Sequence, residues 1–157
     1  MKIVIAYYSG HHGNTKKILD AIKERWNVDL IDVTECKKTD LSGYDVIGLA
    51  SGTYFNRFSM ELIEFVKNNL PGKKDVFLIN TYGLKGASKN EMERIIADKS
   101  CHLLGTYGCR GFDTFGPLKL IGGIAKGRPN ENDLIGAVEF FKKIVENKKE
   151  LIEKQQQ

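Results

Sequence analysis

KIVIAYYSGHHGNTKKILDAIKERW, residues Lys2–Trp26, decides the fold. Its first part, Lys2–Tyr8, is an unbroken apolar, β-branched and aromatic run, as expected of a strand buried on both faces. From Asn14 to Trp26 the pattern changes: Ile18, Ile22 and Trp26 recur four apart with lysine and glutamate between them, one stripe of a helix. Ser9–Thr15 (SGHHGNT) therefore lies between a strand end and a helix start.

The same alternation continues along the chain. Strands are expected at Val28–Val33, Asp45–Ser51, Asp75–Asn80 and Leu103–Cys109, the last weakened by Gly105 and Gly108. Helices are expected at Met60–Leu70, ending before Pro71-Gly72, from Ser88 with Glu91 completing a capping box, and at Glu131–Asn147. TECKKTDLSGY, between the second and third strands, has no apolar stripe and predicts no helix. Strands alternating with helices give an α/β fold with a five-stranded parallel sheet and helices on both faces. Ligands of such sheets bind beyond the carboxyl ends of the strands.

The 157 residues suit one domain over 1–157, with the polar tail at 148–157 expected to fray. Hydrophobic residues make up 41% and charged residues 28%, ordinary globular values. No apolar run approaches the ~20 residues of a membrane span. MKIVIAYYSGHH has too short an apolar run for a secretory leader, so a cytoplasmic protein without membrane insertion is expected. A net charge of +4 fits anionic ligands or acidic partners, but the chain lacks the dense basic stripe of a nucleic-acid binder. Cys36, Cys101 and Cys109 show no C-x-x-C spacing, which argues against a disulfide framework or a cysteine zinc site.

SGHHGNT allows several chemistries. His11 and His12 are adjacent, so they cannot share a helix face as an i, i+4 metal pair does, and no acidic cluster accompanies them. There is no Gly-x-Ser-x-Gly elbow and no Gly-Lys-Ser/Thr core. Phosphate binding fits better. The first turn of a helix presents unpaired N–H groups and the positive end of its dipole. Gly10 and Gly13 permit close backbone approach, and Ser9, Asn14 and Thr15 add donors. A plain helix cap at Asn14 or Thr15 is the competing reading. Two further loops, SGTYFNRF (Ser51–Phe58) and NTYGLKG (Asn80–Gly86), fall at strand carboxyl ends on the same edge. Their aromatics suit a flat conjugated ligand.

These three loops carry a resemblance. SGHHGNT resembles the phosphate loop of short-chain flavodoxin-like proteins, with one extra residue and His12 where a threonine usually stands. The likeness runs over about Lys2–Glu146, and CRGFDTFGPLKLIGGIAKGRPNENDL resembles a stretch found in flavodoxin-like proteins of anaerobes. It implies a three-layer flavodoxin-like sandwich with strand order 2-1-3-4-5, and FMN as cofactor. The implied FMN contacts are Ser9, Gly10, His11, His12, Gly13, Asn14 and Thr15 for the phosphate. Ser51, Gly52, Thr53, Tyr54 and Phe55, with Asn80, Thr81, Tyr82 and Gly83, flank the ring, and Cys109 and Gly111 complete the set. A carbonyl near Gly52 or Thr53 is expected to accept from N5–H of the semiquinone, with Gly52 easing a peptide flip.

The implied function is electron transfer through the semiquinone and hydroquinone. The alternatives are an NAD(P)H-dependent FMN or quinone reductase, and an interaction module without cofactor. The loops carry His11, His12, Lys16, Arg57, Lys85, Arg110, Lys119, Lys126 and Arg128 with few acids, whereas typical flavodoxins are acidic there. A less negative second reduction potential, and attraction of acidic redox partner proteins or NAD(P)H, are expected. Phe112–Asn130 lacks periodicity. It either covers the sheet edge with Leu118, Leu120, Ile121 and Ile124, or forms a lid or docking surface.

Overall fold

The structure is a computed structural model that describes residues 1–155. Its elements in chain order are β1 (Ile3–Tyr8), α1 (Asn14–Lys23), β2 (Asp29–Asp32), β3 (Val46–Tyr54) and β4 (Arg57–Phe58). They continue with α2 (Met60–Asn69), β5 (Asp75–Tyr82), α3 (Asn90–Asp98), β6 (His102–Arg110), a 3-10 helix (Gly116–Ile121) and α4 (Glu131–Gln155). The five long strands are parallel in the order β2-β1-β3-β5-β6, the flavodoxin-like arrangement expected from the sequence. The two-residue β4 is an addition, folding back antiparallel on the end of β3.

Period-two alternation builds two cores from one sheet. Ile3, Ile5 and Tyr7 of β1 face Ile18 and Ile22 of α1 and Phe141 and Val145 of α4. Val4 and Ala6 face the opposite way, with Leu62 and Val66 of α2 and Met92 and Ile96 of α3. Fully burying one such isoleucine or leucine stabilises the fold by roughly 1.5–3 kcal/mol. Gly48 is the exception in a run of large side chains, because the Phe77 ring fills the space a Cβ would need.

Several boundaries differ from those expected. α1 stops at Lys23, yet Trp26 still packs, its ring 5.8 Å from that of Phe141. α3 starts at Asn90 without a side-chain cap rather than at Ser88. Ser88 is held elsewhere: its N–H donates to the Asn56 carbonyl (2.8 Å), which pins it to the turn before β4. α4 runs through Gln155, eight residues past Asn147, so the expected frayed tail is helix from Lys148 to Gln155, and positions 156–157 lie outside the described residues.

Register places the loops. Tyr8 lies beside Ser51, Ser51 beside Asn80, and Asn80 beside Gly108. The segments that follow β1, β3, β5 and β6 therefore emerge at one sheet edge. Among the described residues no helix is long and apolar enough to cross a membrane.

Candidate cofactor-binding site

A cavity of about 310 Å³ opens at that edge. Its first wall is the loop between β1 and α1. His12 and Gly13 take left-handed conformations (φ 57° and 64°), which turn the chain into α1 without a side-chain cap. The Lys16 N–H donates to Ser9 Oγ (3.1 Å), leaving the N–H groups of Asn14 and Thr15 without an acceptor among the described residues. Unpaired N–H groups at a helix start form a seat for an anion. Gly10 lies beneath two tyrosines: a Cβ there would be 2.9 Å from Tyr8 Oη and 3.0 Å from Tyr54 Oη. The Gly10 N–H donates to Tyr54 Oη (3.3 Å), and burial pushes both phenols above their ordinary range, keeping them neutral donors.

The second wall is the β3–β4 hairpin. Phe55 and Asn56 form its tip with φ of 49° and 62°, the two positive values of a type I′ turn. Asparagine suits such a position, whereas a bulky residue there costs about 1–2 kcal/mol. Phe55 is nevertheless 80% exposed. Gly52, where the sequence expects a peptide flip beside a bound flavin, lies at the end of the β3–β5 ladder in register with Thr81, and the hairpin tip falls three residues later.

The third wall follows β5. Thr81 Oγ1 meets Thr15 Oγ1 at 2.9 Å, joining this wall to the first. Tyr82, Gly83, Leu84 and Lys85 face the cavity. The Gly111 N–H donates to the Tyr82 carbonyl (2.7 Å) and Arg110 Nε to the Gly83 carbonyl (3.0 Å), fixing the fourth wall.

That fourth wall is the beginning of the Phe112–Asn130 segment. Asn14 Nδ2 donates to the Phe112 carbonyl (2.8 Å). Asp113 and Ile124 exchange backbone hydrogen bonds (3.0 and 2.8 Å), and Asp113 Oδ1 accepts from the Phe115 N–H (2.8 Å). The segment's far end is anchored by Arg128, bidentate to Asp133 (2.5 and 2.6 Å), and by Lys17 Nζ donating to the Pro129 carbonyl (2.7 Å). Leu120 and Ile121 do not cover the sheet edge: they are 89% and 72% exposed.

Thirteen of the expected site residues line the cavity: Ser9, Gly10, His11, Asn14 and Thr15; Gly52, Thr53, Tyr54 and Phe55; Thr81, Tyr82 and Gly83; and Gly111. Five do not. His12 turns away, its Nε2 2.8 Å from Thr114 Oγ1 and its ring 4.4 Å from that of Phe112. Gly13 lies behind the loop. The buried Ser51 Oγ donates to the Gly52 carbonyl and accepts from the Ser59 N–H. Asn80 stitches the walls together: its Oδ1 accepts from Thr53 Oγ1 and the Ala87 N–H, and its Nδ2 donates to the Ser51 carbonyl. Cys109 points into the core, where burial and the charge of Asp133 push its thiol up to about 12.

Asn56, Leu84, Lys85, Phe112, Asp113 and Phe115 line the cavity without having been expected. The first three belong to loops whose position already marked them. The last three come from the aperiodic segment, whose only signal was its length.

A family model for a flavodoxin domain matches residues 4–106. The chain belongs to the flavodoxin family. Its relatives include the uncharacterized protein MJ0298 of Methanocaldococcus jannaschii, 35% identical over 94% of this chain and 100% of that one. Solved flavodoxins share the fold. One from Streptococcus pneumoniae superposes with a TM-score of 0.64 at 14% identity, covering 92% of this chain and 99% of its own. One from the domain Archaea gives 0.59 at 16% identity, covering 88% and 92%. Rubredoxin oxygen:oxidoreductase of Desulfovibrio gigas gives 0.67 at 16% identity, where 88% of this chain matches 33% of the larger protein.

Flavodoxin membership implies a flavin cofactor. The site fits one: free helix-start N–H groups suit a phosphate, and a cleft between aromatic walls suits a flat ring.

Proposed function

We propose that this protein binds FMN and carries electrons between redox proteins. The observation that carries this reading is a single cavity bounded by both the free N–H groups of α1 and the tyrosine-bearing walls at Tyr54 and Tyr82. The phosphate is held by the Ser9–Thr15 loop, with the N–H groups of Asn14 and Thr15 aligned with the α1 dipole. The ring lies between the β3–β4 hairpin and Thr81–Lys85. Bound FMN supplies one- and two-electron chemistry that the amino acids lack.

The chain's own residues position and shield it. Phe112 and Phe115 close one side against water, and Gly83 and Gly111 let the walls approach closely. Lys85 faces the cavity with a positive charge, and Asp113 is the one carboxylate lining it among the described residues. Lys85 favours the anionic fully reduced cofactor, which raises the second reduction potential relative to an acidic site. Redox partner proteins in the cytoplasm complete the reading.

A second reading is an NAD(P)H-dependent reductase, for which the fourth wall, with Phe112, Asp113 and Phe115 lining the cavity, would shape a place for a small acceptor. The visible spectrum of the purified protein, followed by anaerobic mixing with NADH and NADPH, separates the two. An oxidised-flavin spectrum with negligible nicotinamide oxidation supports a carrier. Rapid turnover with a small acceptor supports the reductase, and a colourless protein that takes up no FMN defeats both.

A further inference from the structure

Several large apolar side chains at or beside the cavity remain exposed to solvent. Phe55 projects at 80% exposure from a hairpin tip whose backbone favours asparagine or glycine. Phe115, 53% exposed, meets it edge to face at 5.4 Å. Leu84 stands 75% exposed on the third wall, and Leu120 and Ile121 project from the 3-10 helix that follows Phe115. Single exposed apolar side chains are common, but several around one opening mark a contact surface.

The charge around this rim is mostly positive, although Asp113 lines it and Glu61, in the first turn of α2, lies near enough to act on Tyr8 and Tyr54. Arg57, Lys85, Arg110, Lys119 and Lys126 arise from the same loops, and none forms an ion pair among the described residues. Over 51–58, 82–89 and 110–128 the sole carboxylate is Asp113, whose Oδ1 already accepts from Phe115. An apolar centre bordered by charge is the build of a transient protein interface.

We propose that this rim is the docking face for an acidic electron-transfer protein, whose carboxylates meet the lysines and arginines while an apolar spot seats on Phe55, Phe115, Leu120 and Ile121. The proposal rests on the flavin-carrier reading for its purpose, but not for its geometry. A second copy of the chain is disfavoured because a two-fold contact brings the same cations face to face. A lipid surface is disfavoured because Phe55, Leu84 and Phe115 line the cavity itself, the point a redox partner must reach.

Binding of the full chain is measured against three probes: an acidic [2Fe–2S] ferredoxin, a basic c-type cytochrome, and phosphatidylglycerol-containing vesicles. Self-association is followed by sedimentation, and FMN uptake is titrated in every variant. The ferredoxin is expected to bind at low salt and to weaken at least about tenfold as the Debye length shrinks from ~20 Å to ~5 Å. Lys119→Glu with Lys126→Glu flattens that salt dependence. Leu120→Ser with Ile121→Ser weakens binding several-fold at any salt, and neither pair alters FMN affinity or the circular dichroism spectrum.

Tighter binding of the cytochrome overturns the proposal. So does ferredoxin binding that ignores all four substitutions, no ferredoxin binding, or a dimer or vesicle contact abolished by the same variants. Salt-dependent ferredoxin docking by a chain that takes up no FMN upholds the surface and sinks the carrier reading instead.

Discussion

Asn14 Nδ2 donates to the carbonyl of Phe112 across 2.8 Å, which ties the first residue of α1 to the start of a segment 98 positions away. The contact leaves no room for a side chain at Gly111, where a Cβ would lie 2.6 Å from the same nitrogen. One side chain thus joins the proposed phosphate seat to the wall that closes the cavity. Asn14→Ala is expected to weaken FMN binding about tenfold, the loss of one well-formed hydrogen bond at ~1–1.5 kcal/mol. Gly111→Ala should weaken it similarly by displacing Asn14, and the double variant should be little worse than either alone. Quenching of flavin fluorescence measures all three.

The far anchor of the segment has a pH signature. Burial works against the Asp133 carboxylate, but Arg128, the Asn130 N–H and Lys17 more than offset it and hold the group below its usual 3.8. A carboxyl group depressed in the folded state adds stability above its unfolded value and loses it as pH falls through the folded one. Asp133→Asn should therefore lower the urea midpoint at pH 7, and the gap to the parent protein should close below about pH 4. Equal midpoints at pH 7 would show that the anchor contributes nothing.

Cys109 should be chemically silent. Its thiol lies in the core and is pushed up to about 12 by burial, so almost none is thiolate at neutral pH. Iodoacetamide on the native protein at pH 8 should label the half-exposed Cys36 well before Cys109. Peptide mapping checks the order, and rapid labelling of Cys109 would reveal opening of the core at the end of β6.

Phe55 sets fold against function. Phe55→Asn fits the left-handed tip and should raise stability by about 0.5–1 kcal/mol, read as a higher urea midpoint. A lower midpoint would mean that the contact with the Phe115 ring outweighs the backbone cost.

Most of the fold was legible because it follows from local periods. Strands β1, β3 and β5 read as continuous apolar runs, and α1 as a stripe at Ile18 and Ile22. What escaped was short or non-local. A two-residue strand such as Arg57–Phe58 has no period, and Ser88 lost its capping role to Asn56, a contact across 32 positions. Three walls of the site followed from loops at strand ends. The fourth did not, because Phe112, Asp113 and Phe115 reach the cavity through hydrogen bonds to Asn14 and Ile124 that no local pattern encodes. His12 illustrates the same limit: its place in the loop offered a further phosphate donor, but nothing local encodes the packing of its ring on Phe112.

The most direct test titrates the cofactor-free protein with FMN and, separately, with riboflavin, which keeps the ring but lacks the phosphate. If the helix-start N–H groups hold the phosphate while the aromatic walls hold the ring, FMN should bind at least about a hundredfold more tightly, the equivalent of ~3 kcal/mol or more from the charged hydrogen bonds. Equal affinities for the two, or no binding of either, would contradict the account.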